Sequence, residues 1–577
     1  MRIPDIVPIA GLPVLLLAAM LAWLGSYSLL QPDEGRNAEV AREMVASGNY
    51  VVPHLNGIVY VDKPALHYAI TAVTMKVFGV NEFAARLPSL VFTVLTALVI
   101  GWFGRRLWNP QVGWTAAVLL LASPLTFLMA RVVILDAVLS FLLVASLVSF
   151  YLACDGYNTA STNDATDRVR PAVWKRWSIV AWLAIGLGIL TKGPVALLLP
   201  LLVSVPFAVK RHSLRAVFHW PAVILAFAIA VPWVLQMQRH LPDYLHYVLV
   251  TETLKRVGTD QLHRSQPFWY FVPVLAAGAF PWIVLLAASL WRGRKELRSR
   301  SDPRELFLLL WIVVPFLFFS MSHSKLPHYM LPLVPAVALL TASRLARDDP
   351  AAASGRRVVA GAWCVLGALL VTASFMPQVV AKLETSLVEP VRHLALLLGV
   401  VALIVGVIGW SVKLRGPWLA FTFALPITAV ALGGGPLFAA VGETRSAKAL
   451  ATAIATQLPG DRRVVGIGAY PTALPFYLGS PIFVSSRTGK ELTSNYVVAA
   501  FDRLVKLPDS SLLGPDGWQD ILHECRQPTA FVIDVDDSDT SRELIAAGAP
   551  LIASDRKYGV YGPCRKVDAA PTMAGAH

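Results

Sequence analysis

Directly after the first long apolar stretch the chain reads Gln31-Pro32-Asp33-Glu34-Gly35-Arg36-Asn37-Ala38-Glu39-Val40-Ala41-Arg42. Adjacent carboxylates beside a guanidinium can take a proton, steady a developing positive charge or bind an amine. They can equally cap a helix and complement its dipole, as acids in a first turn commonly do. Other ionisable residues stand at the edges of later apolar runs: Lys63, Asp136, Lys192, Arg256, Arg264 and Lys325. The segment Ser322-His323-Ser324-Lys325-Leu326-Pro327-His328-Tyr329 gathers donors, a cation and a helix-starting proline into eight residues, which suits anion binding. Two of these residues have bland readings, since Asp136 could pair with Arg131 and Lys192 could snorkel from a turn.

What positions these groups is a membrane. Of 577 residues 56% are hydrophobic and only 15% charged, with a mean hydropathy of +0.59, which excludes a soluble enzyme and a disordered chain. Uncharged runs near spanning length lie at 7–30, 87–104, 107–130, 216–238, 265–291, 358–381, 394–412 and 416–442. Shorter runs at 177–191, 193–209, 306–322 and 326–343, and 132–154 with its interior Asp136, bring the expected total to about 13 transmembrane helices. The first run is too long for a signal-peptide core and reads as an uncleaved anchor.

Basic groups at Arg105-Arg106, Lys175-Arg176, Lys210-Arg211, 292–304, 344–357 and 413–415 fall on one side of this alternation. The positive-inside rule makes that side, and the N-terminus, cytoplasmic. All the chemically interesting residues then fall on the outer face, where a convergent ionisable set points to a site because isolated charges at a membrane edge are costly. The formal charge of +14 is mainly this topological signal, and nucleic acid drops out as a partner. Carboxylates at the outer edge, with no internal repeat, also argue against a lipid or solute transporter.

Residues 1–442 therefore read as a transmembrane domain and 443–577 as a soluble α/β domain outside the membrane, with strand-like runs at 463–468, 482–485 and 530–535. Two outer-side helices, at about 35–47 with Gly48 as a stop and about 64–75, are expected to lie at the membrane surface. Cys525 and Cys564 share the external domain, where an oxidising compartment would permit a disulfide. His246, His263, His323 and His328 are either solvated or, with a carboxylate, a site for a divalent metal; the chain has no CxxC or HExxH motif.

The Pro-Asp-Glu-x-Arg-x-Ala-Glu loop, Val-Val-Pro-His-Leu at 51–55, Lys63-Pro64, Leu135-Asp136, Thr191-Lys192-Gly193, His263-Arg264 before Pro-Phe-Trp-Tyr, and Lys325-Leu326-Pro327-His328-Tyr329 together resemble the 4-amino-4-deoxy-L-arabinose transferases of lipid A. These are polyprenyl-phosphate-dependent membrane glycosyltransferases of the GT-C superfamily, related to protein O-mannosyltransferases. The resemblance covers nearly all of 1–345. Gly35 and Asn37 stand where bulkier residues are expected in many relatives.

The resemblance implies transfer of aminoarabinose from undecaprenyl phosphate to a lipid A phosphate on the periplasmic side of a bacterial inner membrane, giving polymyxin resistance. Transfer of mannose or another neutral sugar to protein or lipid is the nearest alternative. A lipid A phosphate is already anionic and can attack C1 with little help, so a single-displacement, inverting reaction requires no cofactor and no protein nucleophile. Asp33, Glu34 and Asp136 are then the catalytic or amine-recognising carboxylates, and Arg36, Lys63, Lys192, Arg256, Arg264, Lys325, His328 and Tyr329 the phosphate-binding set. Asp33→Asn, Lys63→Ala and Arg264→Ala should each abolish or sharply reduce transfer with expression intact; full activity of all three in a membrane assay would remove the site.

Overall fold

The computed structural model describes residues 14–162, 171–248, 250, 266–292, 302–347, 350–377, 383–414 and 416–564. Among the described residues seven helices are long and apolar enough to cross a membrane, or up to nine if each of two bent pairs is one span. They include Glu82–Leu107, Leu135–Ala160, Val173–Lys192, Pro303–Met321 and Thr385–Ser411. The chain is a multi-pass, mostly helical membrane protein, and among the described residues there are fewer full-length spans than the thirteen expected of the whole chain.

The shortfall has local causes. The run at 107–130 breaks into Pro110–Leu121 and Pro124–Met129, because Pro124 cannot donate the hydrogen bond that would continue the first helix. The run at 326–343 starts as a 3-10 segment, Pro327–Leu333, and only then becomes the helix Val334–Leu345. Val195–Lys210 is helical but short, and 7–30 lies partly outside the described residues. Hydropathy counts apolar residues and does not see where proline interrupts the backbone ladder.

The described residues fold as two compact units. The first comprises the residues up to 26, 63–70 and 86–440; the second 27–62, 71–85 and 441 onward. Inside the first, Tyr151, Phe207 and Phe307 stack with ring centroids 5.0–5.5 Å apart. The second unit is more than the C-terminal segment, because the first outer loop folds into it.

At the centre of the second unit is a six-stranded sheet: β1 (Arg463–Ile467), β2 (Phe483–Ser485), β3 (Leu512–Leu513), β4 (Thr529–Asp534), β5 (Leu551–Ser554) and β6 (Tyr558–Tyr561). Its order is β3-β2-β1-β4-β6-β5, with β1 to β4 parallel, β6 antiparallel to β4, and β5 antiparallel to β6. The central strands read as continuous apolar runs because both faces are covered. Val465, Phe531 and Ile533 are fully buried with Trp518 and Leu544. Cys525 and Cys564 form a disulfide, Cα to Cα 6.0 Å.

The helix expected at 35–47 is α1 (Asp33–Ser47), ended by Gly48 in the left-handed conformation. It is not the amphipathic surface helix that its apolar spacing implied. Glu34, Asn37, Glu39, Arg42 and Glu43 are all buried. Gly35 is needed for this packing, since a Cβ there would sit 2.6 Å from the backbone nitrogen of Ala473. The second expected helix is α2 (Leu66–Phe78).

Burial of so polar a helix is tolerable because its charges are matched. Arg42 makes a two-pronged pair with Glu39, both bonds 2.7 Å, and donates to the Gly479 carbonyl at 2.9 Å. Glu43 accepts from the Gly57 N–H at 3.0 Å. Burial raises the Glu43 carboxyl to about 8, and the charge of Glu39 adds to the rise.

A folded value above the unfolded one makes this group's contribution complete at low pH and lost as pH rises toward 8. Glu43→Gln mimics the protonated form and should melt above the parent, by a margin that widens between pH 6 and 9. A margin independent of pH in thermal melts of the detergent-solubilised protein would show that Glu43 does not titrate there.

Candidate active site

In the first unit the site is assembled from the ends of separate elements. Asp136 lies in the first turn of α3 (Leu135–Thr162), and Lys192 is the last residue of α4 (Pro171–Lys192). Lys192 Nζ donates to Asp136 Oδ1 at 2.6 Å, and both side chains are nearly removed from solvent. His328 Nε2 approaches the other oxygen, Asp136 Oδ2, at 3.6 Å. The Lys192 ammonium also stands 5.0 Å from the Tyr329 ring centroid, a cation–π distance.

These contacts bring Asp136, Lys192, His328 and Tyr329 together. They also decide against both bland readings. Asp136 is matched with Lys192, while Arg131 donates to the carbonyls of Met20 and Ala22 at 2.9 and 2.7 Å. Lys192 does not snorkel; it points into a buried ion pair. Lys325 is buried close by in sequence and donates to the Gln266 carbonyl at 2.9 Å. Burial lowers its pKa. Lys63, in the same unit, is half-buried just before α2.

His67 escaped the sequence reading. It is fully buried near the start of α2, and burial pushes its imidazole down to about 4 against the opposing pull of the Asp136 carboxylate, so it is neutral at physiological pH. Its signal was available in the run Lys63-Pro64-Ala65-Leu66-His67, but a lone histidine on an apolar helix more often packs than reacts.

In the second unit the first outer loop supplies the other carboxylates, with unequal roles. Glu34 is buried and accepts from the Leu30 N–H at 2.9 Å, which fixes the turn into α1. Asp33 is well exposed and accepts from Arg36 at 2.5 Å. Arg36 in turn donates to the Thr493 hydroxyl at 2.9 Å and its carbonyl at 3.2 Å. Of the acidic pair, Asp33 is the one left facing solvent. Arg256, Arg264 and His263 lie outside the described residues, and His246 and His323 are exposed. Among the described residues no group of three or more His, Cys, Asp and Glu is arranged to hold a metal ion.

Chemically, the first-unit cluster offers an ammonium, an imidazole and a phenol ring around one carboxylate. An anion entering there would meet donors already oriented, without the reorganisation that water would need. Removing one member of a buried pair typically costs about 3–5 kcal/mol because the other charge is stranded. Lys192→Met should therefore lower the melting temperature in detergent, and the double variant Asp136→Asn/Lys192→Met should recover most of the loss. Equal melting of Lys192→Met and the parent would mean that the pair is solvated.

Comparisons with known proteins fit this geometry. Residues 15–248 match the family model for dolichyl-phosphate-mannose-protein mannosyltransferase. The chain is 38% identical over 322 residues to undecaprenyl phosphate-alpha-4-amino-4-deoxy-L-arabinose arabinosyl transferase 2 of Proteus mirabilis, covering 55% of this chain and 56% of that one. It is 34% identical over 356 residues to the corresponding transferase of Erwinia tasmaniensis, covering 61% and 62%. The matches thus span little more than half the length of these curated relatives.

Among solved structures, ArnT from Cupriavidus metallidurans bound to undecaprenyl phosphate superposes with a TM-score of 0.81 at 24% identity over 100% of both chains. The apo form of the same protein gives 0.79 at 25% identity over 97% of each. The chain has the fold of ArnT, and in sequence it resembles the undecaprenyl phosphate-aminoarabinose transferases, as its loop motifs implied.

Proposed function

We propose that this protein is a lipid-linked-sugar-dependent glycosyltransferase that moves 4-amino-4-deoxy-L-arabinose from undecaprenyl phosphate to a phosphate of lipid A. The reaction takes place on the periplasmic side of the bacterial inner membrane, with the N-terminus cytoplasmic and the C-terminal α/β domain periplasmic. The observation that carries the reading is the buried Asp136–Lys192 pair with His328 and Tyr329 beside it. So costly an arrangement at the ends of membrane helices is expected where an anionic headgroup must be held. The names of the relatives from Proteus mirabilis and Erwinia tasmaniensis, and the undecaprenyl phosphate in the ArnT structure, support the same donor.

In this reading the donor's phosphate rests among Lys63, Lys192, Lys325 and Tyr329, with Arg256 and Arg264 as further cations. An oxygen of the acceptor phosphate attacks C1 of the sugar, the C1–O bond to the polyprenyl phosphate breaks, and the departing phosphate takes the electron pair. The cations stabilise that charge as it forms. Because the acceptor is already ionised at neutral pH, no general base and no cofactor is required, and the configuration at C1 inverts. Asp33 steadies positive charge at the anomeric carbon or positions the acceptor. Asp136, held between Lys192 and His328, keeps the cationic set in place and is the carboxylate available to the sugar's 4-amino group.

The family match at 15–248 makes transfer of a neutral hexose such as mannose the second reading. Mass spectrometry of lipid A separates the two. A deletion strain complemented with this chain should regain lipid A carrying one aminoarabinose increment, together with polymyxin resistance. An unchanged lipid A profile, or a hexose increment on protein or lipid, would overturn the aminoarabinose assignment.

A further inference from the structure

The second unit carries a cavity that neither the sequence motifs nor the donor chemistry accounts for. Its volume is about 500 Å³. From β1 the chain steps outward to β2 and β3, then returns to place β4 on the other side of β1. The gap between β1 and β4 is therefore the point where strand order reverses, and in open α/β sheets such a point, at the carboxyl ends of the strands, is where ligands bind. The cavity lies there: Gly468, Ala469 and Tyr470 follow β1 directly, and Asp534 ends β4. Gly468, at φ +57, turns the chain sharply at the cavity wall.

The lining is chemically mixed in a particular way. Four cations contribute: Arg445, Lys490, Arg556 and Lys557. Three carboxylates accompany them: Glu491, Asp534 and Asp555. The carboxylates are held in place by the chain itself. Glu491 accepts from Ser486 at 2.6 Å, Asp534 from the Asp536 N–H at 3.1 Å, and Asp555 from the N–H groups of Lys557 and Tyr558 at 2.7 Å each. Tyr470 and Tyr558 add aromatic surface. Cations for a phosphate, carboxylates for hydroxyls and rings for the apolar face of a pyranose make up a phosphosugar site, and a plain anion would need neither the acids nor the rings.

The cavity also reaches the first outer loop. Gln31 and Pro32, the residues preceding Asp33, form part of its wall. Four hydrogen bonds tie that loop to it: Gln31 N–H to the Arg445 carbonyl at 3.0 Å, the Thr472 hydroxyl to the Pro32 carbonyl at 2.9 Å, and two from Arg36 to Thr493. A saccharide in the cavity would thus touch Gln31 and Pro32, the residues that immediately precede Asp33 in the chain.

We infer that this switch-point cavity binds a phosphorylated saccharide, free or as the headgroup of a lipid, and that it is the acceptor-recognition site of the transferase. The identification as acceptor site rests on the proposed function; the binding chemistry does not. The test uses the full chain in nanodiscs and the triple variant Lys490→Gln/Arg556→Gln/Lys557→Gln, whose substitutions are at exposed positions.

Calorimetric titration with a bis-phosphorylated glucosamine disaccharide should show saturable binding that the variant weakens by roughly tenfold or more. The dephosphorylated disaccharide and inorganic phosphate should both bind far more weakly than the phosphorylated sugar. In assays with the acyl-chain-bearing acceptor, the variant should raise KM for the acceptor and leave KM for the donor lipid unmoved. Weakened free-sugar binding together with that rise in acceptor KM assigns the site to lipid headgroups; weakened sugar binding with acceptor KM unmoved assigns it to a free phosphosugar.

Equal affinity of parent and variant for the disaccharide, or inorganic phosphate binding as tightly as the sugar, would overturn the inference. Loss of aminoarabinose transfer to lipid A in the complementation experiment, with variant-sensitive sugar binding retained, would instead overturn the proposed reaction and leave the cavity's chemistry standing.

Discussion

The buried ion pair between Asp136 and Lys192 is the constraint around which the first unit is organised. A carboxylate at the start of one membrane helix and an ammonium at the end of the next can exist there only if each neutralises the other. That requirement fixes the relative position of α3 and α4 at one face and leaves Asp136 Oδ2 to His328. The 3-10 segment at 327–333 places the Tyr329 ring 5.0 Å from the ammonium. Apolar packing of the helices would allow many registers, whereas charge pairing in low dielectric allows few.

The second unit meets the same physical problem differently. Helix α1 carries acids and bases on nearly every face and is buried, so hydrogen bonds and matched charge hold it in addition to its apolar positions Ala38, Ala41 and Met44. Arg42 bonds to Glu39 and Gly479, Glu43 to Gly57, and Glu34 to Leu30. Gly35 permits the approach to Ala473 that a bulkier residue would block. With the buried acids occupied in structure, Asp33 is left as the exposed carboxylate of the loop.

Much of this was legible in the chain as written, for different reasons in different places. Membrane helices announce themselves because a bilayer demands long apolar runs, so Leu135–Ala160 and Thr385–Ser411 could be read off directly. The run at 107–130 could not, because Pro124 divides a stretch whose composition alone looks continuous. Asp136, Lys192, His328 and Tyr329 were legible as candidates from their places at span edges, but their mutual contact was not. Glu34 and His67 show the limit most clearly. One looked chemical and caps a turn; the other looked like core and lies within the field of Asp136.

Read alone, the chain establishes which segments are apolar enough for a bilayer, the α/β character of the last 130 or so residues, and which ionisable groups stand at the edges of the apolar runs. Each of these follows from a cost that is local along the chain: hydrophobic length, strand alternation, and charge beside lipid. Tertiary structure alone decided which charges are partners, that the first outer loop folds with the C-terminal sheet into one unit, and that a cavity opens where the order of β1 and β4 reverses. Those outcomes depend on contacts between residues hundreds of positions apart, and their energy comes from desolvating both partners at once, which no single stretch of sequence encodes.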